Sequence, residues 1–455
     1  MTTKAKIGFF GGVDAVTGSN FLFEVEGKRI MIDCGLYQGD KFADDRNREK
    51  FAIDPSSVDI LLVTHAHIDH IGRIPKFVRE GFHGIIYSTP PTEELAQLML
   101  HDTVSILQRE ATRDGREPIY VESDVVHAMK LWRTHEYYEP FALEAGVRCE
   151  FKDAGHMLGS AMMFLTVNGT TMVFTGDLGN SPTPLLRDTD SIEGSTYLLM
   201  ESVYGDRNHE GRDERKEQLR QMIMQSVARG GVLLIPAFSI ERTQELLFEL
   251  NEMVEHHKLP DVKIFVDSPL AIKATEVYKR SNKYFNQNTQ HIIKGGDDVF
   301  KFPRLFFTEE KHESMAIWET KGPKVIMAGS GMLNGGRIAH HVKHYGGDPN
   351  NAILLPGFQA VGTPGRLLSE GVNKIRLNGE DMVVRAKIAT LHGYSGHKDM
   401  DHLVEFAAEG SETLKKVFVT IGEPKCSMFL AQRLRDYVGL DAVVPTPNTE
   451  VELDF

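Results

Sequence analysis

The chain is 455 residues long, 25% charged and 41% hydrophobic, with a net charge of −13, a length that exceeds one ordinary core and predicts two domains. Three cysteines, Cys34, Cys149 and Cys426, exclude a disulfide framework, and none sits in a C-x-x-C pair. No apolar stretch at the N-terminus is long enough for export or for spanning a membrane, so the expected location is cytoplasmic, with no membrane partner.

Taken in chain order, residues 20–26 alternate apolar and polar, Gly27 turns, and Arg29-Ile-Met-Ile-Asp33 returns, which predicts a β-hairpin. The apolar run Asp59-Ile-Leu-Leu-Val63 reads as a strand that opens into Thr64-His65-Ala66-His67-Ile68-Asp69-His70-Ile71-Gly72. Three imidazoles and a carboxylate within six positions predict a metal centre with donors enough to divide between two ions. On an extended backbone His65 and His67 point to the same side, while Asp69 and His70 turn toward a neighbouring position. Helical spacing follows at 74–79, at 92–111 with Leu95, Leu98, Met99 and Leu107 along one side, and at 124–138. Strands return at 147–151, 161–167 and 171–174. Between and after them stand two further donors, His156 among glycines and Asp177 at the end of an apolar run.

Beyond a polar, glycine-containing link at 204–211 the pattern becomes regular strand-then-helix alternation: 231–236 with 240–250, 262–266 with 271–280, 324–328 with 337–344. Continuous apolar runs separated by helices predict a parallel sheet covered on both faces. The expected division is a first domain in two parts, 1–206 and 382–455, interrupted by an inserted α/β domain at 207–381. The chain is expected to return to the first domain through a strand at 383–389, followed by a helix after Asp399 and strands at 416–420 and 442–445. From Lys301 to Tyr345 there are seven Lys/Arg against four Glu and no Asp, so an acidic chain can still hold a basic surface.

The ordered series Asp33, H-x-H-x-D-H, His156 and Asp177 resembles the metallo-β-lactamase fold hydrolases. Four further motifs resemble the β-CASP branch of that superfamily, whose members process RNA or DNA. They are Met200-Glu201-Ser202-Val-Tyr204-Gly205-Asp206, Ala328-Gly-Ser330-Gly-Met332-Leu-Asn-Gly335-Gly336-Arg337, Gly357-Phe-Gln-Ala-Val-Gly362-Thr-Pro-Gly365-Arg366, and Tyr394-Ser-Gly-His397-Lys-Asp399. The resemblance runs from about Ile7 to about Pro447. It implies an α/β fold, a metallo-β-lactamase αββα sandwich with an inserted parallel-sheet β-CASP domain. It further implies two zinc ions, one held by His65, His67 and His156 and the other by Asp69, His70 and a bridging Asp177, with a metal-activated hydroxide as nucleophile. His397 is then expected to protonate the leaving oxygen, with Glu201 as its partner. Asp33 is better placed to accept a ligand ring N–H than to bind metal.

The loop Gly329-Ser330-Gly331 onward lies between a strand and a helix, lacks the Lys-Ser/Thr ending of a nucleotide P-loop and does not fit the dinucleotide fingerprint. A substrate phosphate is its expected ligand, with Ser330, Gly331, Arg337 and Arg366 as binding residues. One position departs from the family. The usual last metal ligand is a histidine before Gly-Glu, and here Ile421 precedes Gly422-Glu423. The second ion is therefore expected to bind weakly, with His392 and His397 the nearest substitutes. Three readings stay open: a zinc-dependent endoribonuclease with exonuclease activity as an extension, a nucleic-acid-binding relative with weakened catalysis, and a small-molecule metallohydrolase. Single-stranded RNA is the expected partner, DNA an alternative, and a homodimer is admitted.

Overall fold

The computed structural model describes residues 4–39, 42–209, 214–357 and 359–455, and of His392 the backbone alone. Phe358, within one of the β-CASP motifs, and positions 210–211, in the expected link, therefore lie outside the described residues. The chain forms two compact units, one of residues 1–208 with 397–455 and the other of residues 209–396.

The first unit holds two seven-stranded sheets. In one, the strand Lys4–Gly11 lies between Thr449–Asp454 and the hairpin Asn20–Val25/Lys28–Ile32, and the sheet continues through the parallel strands Ile60–Leu62, Ile85–Ser88 and Trp132–Thr134. In the other, the antiparallel strands Arg148–Asp153, Ala161–Val167 and Thr170–Phe174 lead to the parallel set Tyr197–Met200, Lys416–Val419 and Ala442–Val443. Their inner faces meet through aromatic rings: Phe9 lies 5.2 Å from Phe418 and Phe23 lies 6.0 Å from Phe174, centroid to centroid. Leu403 and Phe406 of helix Met400–Ala408 and Leu430 of helix Pro424–Arg433 pack on Leu198, Met200, Val417 and Val419 of the second sheet. Burying one stripe of each helix and both faces of each sheet produces the expected αββα layering.

Helix spacing at 92–111 becomes helix Pro90–Asp114, with Leu95, Leu100, Val104 and Leu107 buried, Thr89 as N-cap and Gly115 closing it at φ 64°. The expected helix at 124–138 is shorter, running Glu122–Lys130, because Trp132–Thr134 leaves it to pair in parallel with Ile85–Ser88. Amphipathic spacing alone cannot reveal that a sheet captures Trp132–Thr134.

The second unit is built on an all-parallel six-stranded sheet in the order Leu305–Phe307, Lys263–Val266, Lys324–Ala328, Val232–Pro236, Ala352–Pro356, Lys387–Leu391. The central strands are buried along their whole length, as sequences without alternation require. The strand expected to lead back into the first domain instead completes this sheet: Lys387–Leu391 pairs in parallel with Ala352–Pro356. An apolar run carries no mark of which sheet it joins, and the chain changes unit at residue 397.

Candidate metal centre

Strand Ile60–Leu62 is followed by Val63 and Thr64, and the chain reaches His67, itself extended, at the N-terminal boundary of the single turn Ile68–Ile71. Extended backbone turns His65 and His67 to one side, and the turn brings His70 back over them. Here His65 Nε2 and His67 Nδ1 are 3.1 Å apart, and the same His67 Nδ1 is 3.2 Å from Nε2 of His156. Asp177 follows the strand Thr170–Phe174 and places Oδ2 3.4 Å from His65 Nε2 and 3.6 Å from His156 Nε2. An ion bound tetrahedrally at about 2.0–2.1 Å needs donor-to-donor edges of about 3.3–3.4 Å. The four donor atoms of His65, His67, His156 and Asp177 are thus spaced as the corners of one coordination shell.

The other oxygen of Asp177 faces a different imidazole. Oδ1 is 3.3 Å from His70 Nε2, and both atoms are buried with no hydrogen-bond partner among the described residues. Two unsatisfied buried acceptor-type atoms this close cost several kcal/mol unless a cation lies between them. His70 and Asp177 are the residues that would hold a cation on that side. Asp69, partly exposed, adds its charge to the same side, and burial with the neighbouring Asp177 charge raises its pKa although His70 opposes the rise.

Asp33 holds the arrangement from behind. Its Oδ2 accepts from His70 Nδ1 at 2.6 Å and from Ser19 Oγ at 3.2 Å, and its Oδ1 accepts from the Thr64 amide at 2.8 Å. With Nδ1 committed to Asp33, Nε2 is the His70 nitrogen turned toward Asp177; burial would lower the ring's pKa, but Asp177 and Asp33 outweigh it and raise it well above the usual imidazole range. Two glycines allow the close approach: a Cβ on Gly35 would fall 1.5 Å from the Asp69 carbonyl oxygen, and one on Gly176, at φ 56°, would fall 2.6 Å from Thr64 Cβ. Burial lowers the pKa of His67 and of His156, reinforced by His65 and His397 respectively, which favours the neutral ring that binds a cation. Burial alone would raise Asp177, but His70 and His65 outweigh it and hold the carboxyl well below its usual range.

His397 is presented by a short antiparallel bridge to Gly179, two residues past Asp177. Its Nδ1 is 3.1 Å from Glu201 Oε1 and 4.0 Å from Asp177 Oδ2. Glu201 is fully buried, and its carboxylate is fixed by the amides of Leu178 at 2.7 Å and Val203 at 3.2 Å. Burial would depress the His397 pKa, yet Glu201 foremost, then Asp177 and Asp69, raise it to about 9. Thr64, Ser19 and the Leu178 and Val203 amides are contributors that sequence reasoning missed. Thr64 alone left a signal, standing directly before the histidine cluster.

Ile421 is 1% exposed and adopts φ 47°, a left-handed conformation that a β-branched residue seldom takes. Its amide donates to Gly12 O at 2.5 Å and its carbonyl accepts from Ser202, so both flanks of the strained residue are held. Its alkyl chain lies against Gly12 and offers no donor to an ion.

The four expected phosphate-binding residues all lie in the second unit. Gly331 is packed so that a Cβ would meet the Phe238 ring at 2.9 Å, and Ser330 Oγ accepts from the Asn334 amide at 3.0 Å. Arg366 pairs with Glu370 at 2.5 Å on an open surface. Arg337 is committed elsewhere than expected: it donates to Asp267 Oδ1 at 2.7 Å and to the carbonyls of Thr308 and Glu309. Asp267 was not foreseen; it also receives His341 Nε2 at 2.7 Å, Ser314 Oγ at 2.6 Å and Thr308 Oγ at 2.8 Å.

An αββα sandwich that brings a His/Asp donor set together from strand ends of both sheets defines a metallohydrolase. The chain matches the metallo-beta-lactamase superfamily over residues 13–132, the Beta-Casp domain over 243–368 and the Zn-dependent metallo-hydrolase RNA specificity domain over 381–445. It is 37% identical to "Ribonuclease TTHA0252" of Thermus thermophilus, over 87% of this chain and 89% of that protein. It is 31% identical to an "RNase J-like protein" of Methanocaldococcus jannaschii, over 97% and 98% of the two chains. Identity to the "Transcription termination factor FttA" of Methanosarcina mazei is 29%, over 92% of this chain and 67% of that protein. A crystal structure of a protein of unknown function from Enterococcus faecalis V583 shares the fold, with a TM-score of 0.57 at 11% identity over 99% of this chain and 100% of that one. The chain belongs to the β-CASP branch of the metallo-β-lactamase superfamily and is a metal-dependent hydrolase.

Proposed function

We propose that this protein is a zinc-dependent ribonuclease that cuts single-stranded RNA internally, with exonucleolytic trimming as an extension of the same site. The observation that carries the reading is the pair of facing, unsatisfied atoms Asp177 Oδ1 and His70 Nε2 beside the four-donor set of His65, His67, His156 and Asp177. Bound there, two zinc ions supply an activated water and offset the charge that builds on a phosphate under in-line attack. His65, His67 and His156 would hold one ion, Asp69 and His70 the other, with Asp177 shared. His397, oriented by buried Glu201, carries a proton at neutral pH and delivers it to the departing oxygen. Ser330, Gly331 and Arg366 take backbone phosphates, while Arg337 acts through Asp267 to hold the loop that presents them. The likeness to relatives named as ribonucleases supports RNA over DNA.

The two ions are unequal in this reading. The first has four protein donors and the second three at most, because Ile421 brings an alkyl group where a donor would complete it. Ile421→His should tighten the second ion about tenfold or more; unchanged affinity in calorimetric zinc titration would mean another group already fills the place. The same residue favours one second reading, an RNA-binding relative with slow catalysis, in keeping with the likeness to a transcription termination factor. Zinc analysis of the purified protein together with a panel of RNA and DNA substrates decides between them. Near-stoichiometric zinc with RNA cleavage supports the nuclease, and tight RNA binding without turnover supports the second reading.

Location in the cytoplasm is part of the proposal. All three cysteines are buried free thiols, and no helix among the described residues is long and apolar enough to cross a membrane.

A further inference from the structure

A cavity of about 210 Å³ opens in the first unit, and none of the residues that line it has a part in the hydrolytic mechanism. Its wall is a ladder of rings and cations. The guanidinium of Arg46 lies 4.3 Å from the Tyr37 ring centroid and that of Arg73 lies 4.7 Å from it; Arg73 is also 5.1 Å from the Phe51 ring. Arg73 is anchored by donating to the Gly35 carbonyl at 2.5 Å, so its charge is held in place. Asn20, 2% exposed, lines the same cavity, and its Oδ1 has no hydrogen-bond partner among the described residues. Leaving a buried carbonyl unmatched costs about 1–3 kcal/mol, so a ligand N–H there would be favoured.

The lining discriminates among ligands. Among the described residues, Arg46, Lys50 and Arg73 bring three positive charges to the lining, and Asp14 and Glu49 bring two negative ones. A free phosphate would meet those carboxylates and the bare Asn20 oxygen as repulsive acceptors. A nucleobase suits the site better: its exocyclic or ring N–H can serve Asn20, its plane can lie against ring-held guanidiniums, and its linking phosphate can reach Lys50. The cavity is smaller than drug-sized pockets and has room for one ring system. It also adjoins the chemistry. Ser19, next to Asn20, donates its amide to the Asp69 carbonyl at 3.0 Å and its hydroxyl to Asp33, and Arg73 stands three residues beyond His70.

We infer that this cavity receives one base of the substrate strand. The inference rests on the RNA-cleaving reading and deepens it by naming a subsite. The test is an abasic scan: zinc-loaded protein carrying His397→Ala, to slow cleavage, is titrated with short fluorescent oligoribonucleotides lacking one base at each position in turn. One position should weaken binding about tenfold, and that loss should shrink to under about twofold when Arg46→Ala with Lys50→Ala, or separately Asn20→Ser, is added. Lys50 is exposed, so its replacement leaves the core untouched, and the Asn20→Ser protein provides an independent readout. Equal losses at every position, or a loss at one position that persists unchanged in both variants, overturns the subsite while leaving RNA binding intact. Failure of any oligoribonucleotide to bind overturns the subsite and the RNA reading together.

Discussion

Asp33 shows how far a side chain that touches no substrate can govern a site. It accepts from His70, Thr64 and Ser19 at once, and so decides which nitrogen of His70 is left for a cation. Asp33→Ala should lower metal affinity about 10–100-fold, measured by competition with a chromophoric chelator; unaltered affinity would remove Asp33 from this role. His397→Ala should leave zinc content unchanged and reduce kcat by about 10²–10⁴, since only a proton transfer is lost. The sign of its pH dependence follows from the direction of its shift. Glu201 and its neighbours raise the pKa to about 9, so the donating form is present below that value and the rate should fall as pH rises through it. Bound cations would move this limb to lower pH, and in either case the limb should vanish in His397→Ala.

At the scale of elements, the inserted sheet is tied together at the carboxyl end of its strands by one carboxylate. Asp267 follows strand Lys263–Val266 and receives donors from Thr308, from Ser314 of helix Lys311–Glu319, and from Arg337 and His341 of helix Gly336–Tyr345. Trp318 Nε1 donates to His341 Nδ1 at 3.1 Å, which fixes the ring with Nε2–H toward Asp267. Burial alone would raise the Asp267 pKa, but His341, Ser314, Arg337 and Thr308 together lower it to about 2. A depressed carboxyl stabilises the fold above its unfolded pKa and loses that contribution as pH falls toward the folded one. Between about pH 4 and pH 2 the native protein should therefore lose about 2 kcal/mol that Asp267→Asn, already weakened at neutral pH, does not lose. Denaturant unfolding at pH 7 and pH 3 checks this, and parallel losses in the two proteins would count against it. Ile421 is the opposite case, a strained residue retained by its neighbours. Only glycine would relieve its left-handed backbone, a gain of about 1–2 kcal/mol that is less than the about 2–5 kcal/mol of burial lost with the side chain, so packing decides the net effect of Ile421→Gly.

For the whole molecule, the division into units predicts where metal acts. All six expected ligands belong to the unit formed by residues 1–208 and 397–455. Chelation should lower the calorimetric stability of that unit by about 4 kcal/mol relative to protein in zinc at a thousandfold excess over its dissociation constant, and leave the unit of residues 209–396 unchanged. A uniform shift of both transitions, or none, would disprove a centre confined to the first unit. The net charge of −13 does not oppose RNA binding at this scale, because the cations and local basic positions set the field where the strand would lie.

The grouping of three imidazoles was legible in the chain because its spacing is local. His65, His67 and His70 fall within six positions, so strand and turn geometry alone direct them to one edge. The αββα layering and the inserted parallel sheet were legible for a similar reason, since alternation and continuous apolar runs record how many faces a strand buries. What the sequence could not decide depends on partners distant along the chain. Only folding brings Asp33 under His70, seats Glu201 against His397 across nearly two hundred residues, assigns Lys387–Leu391 to the inserted sheet and turns Arg337 onto Asp267. Local pattern fixes which surfaces must be buried, whereas which group meets which is settled by packing, and packing exists only in three dimensions.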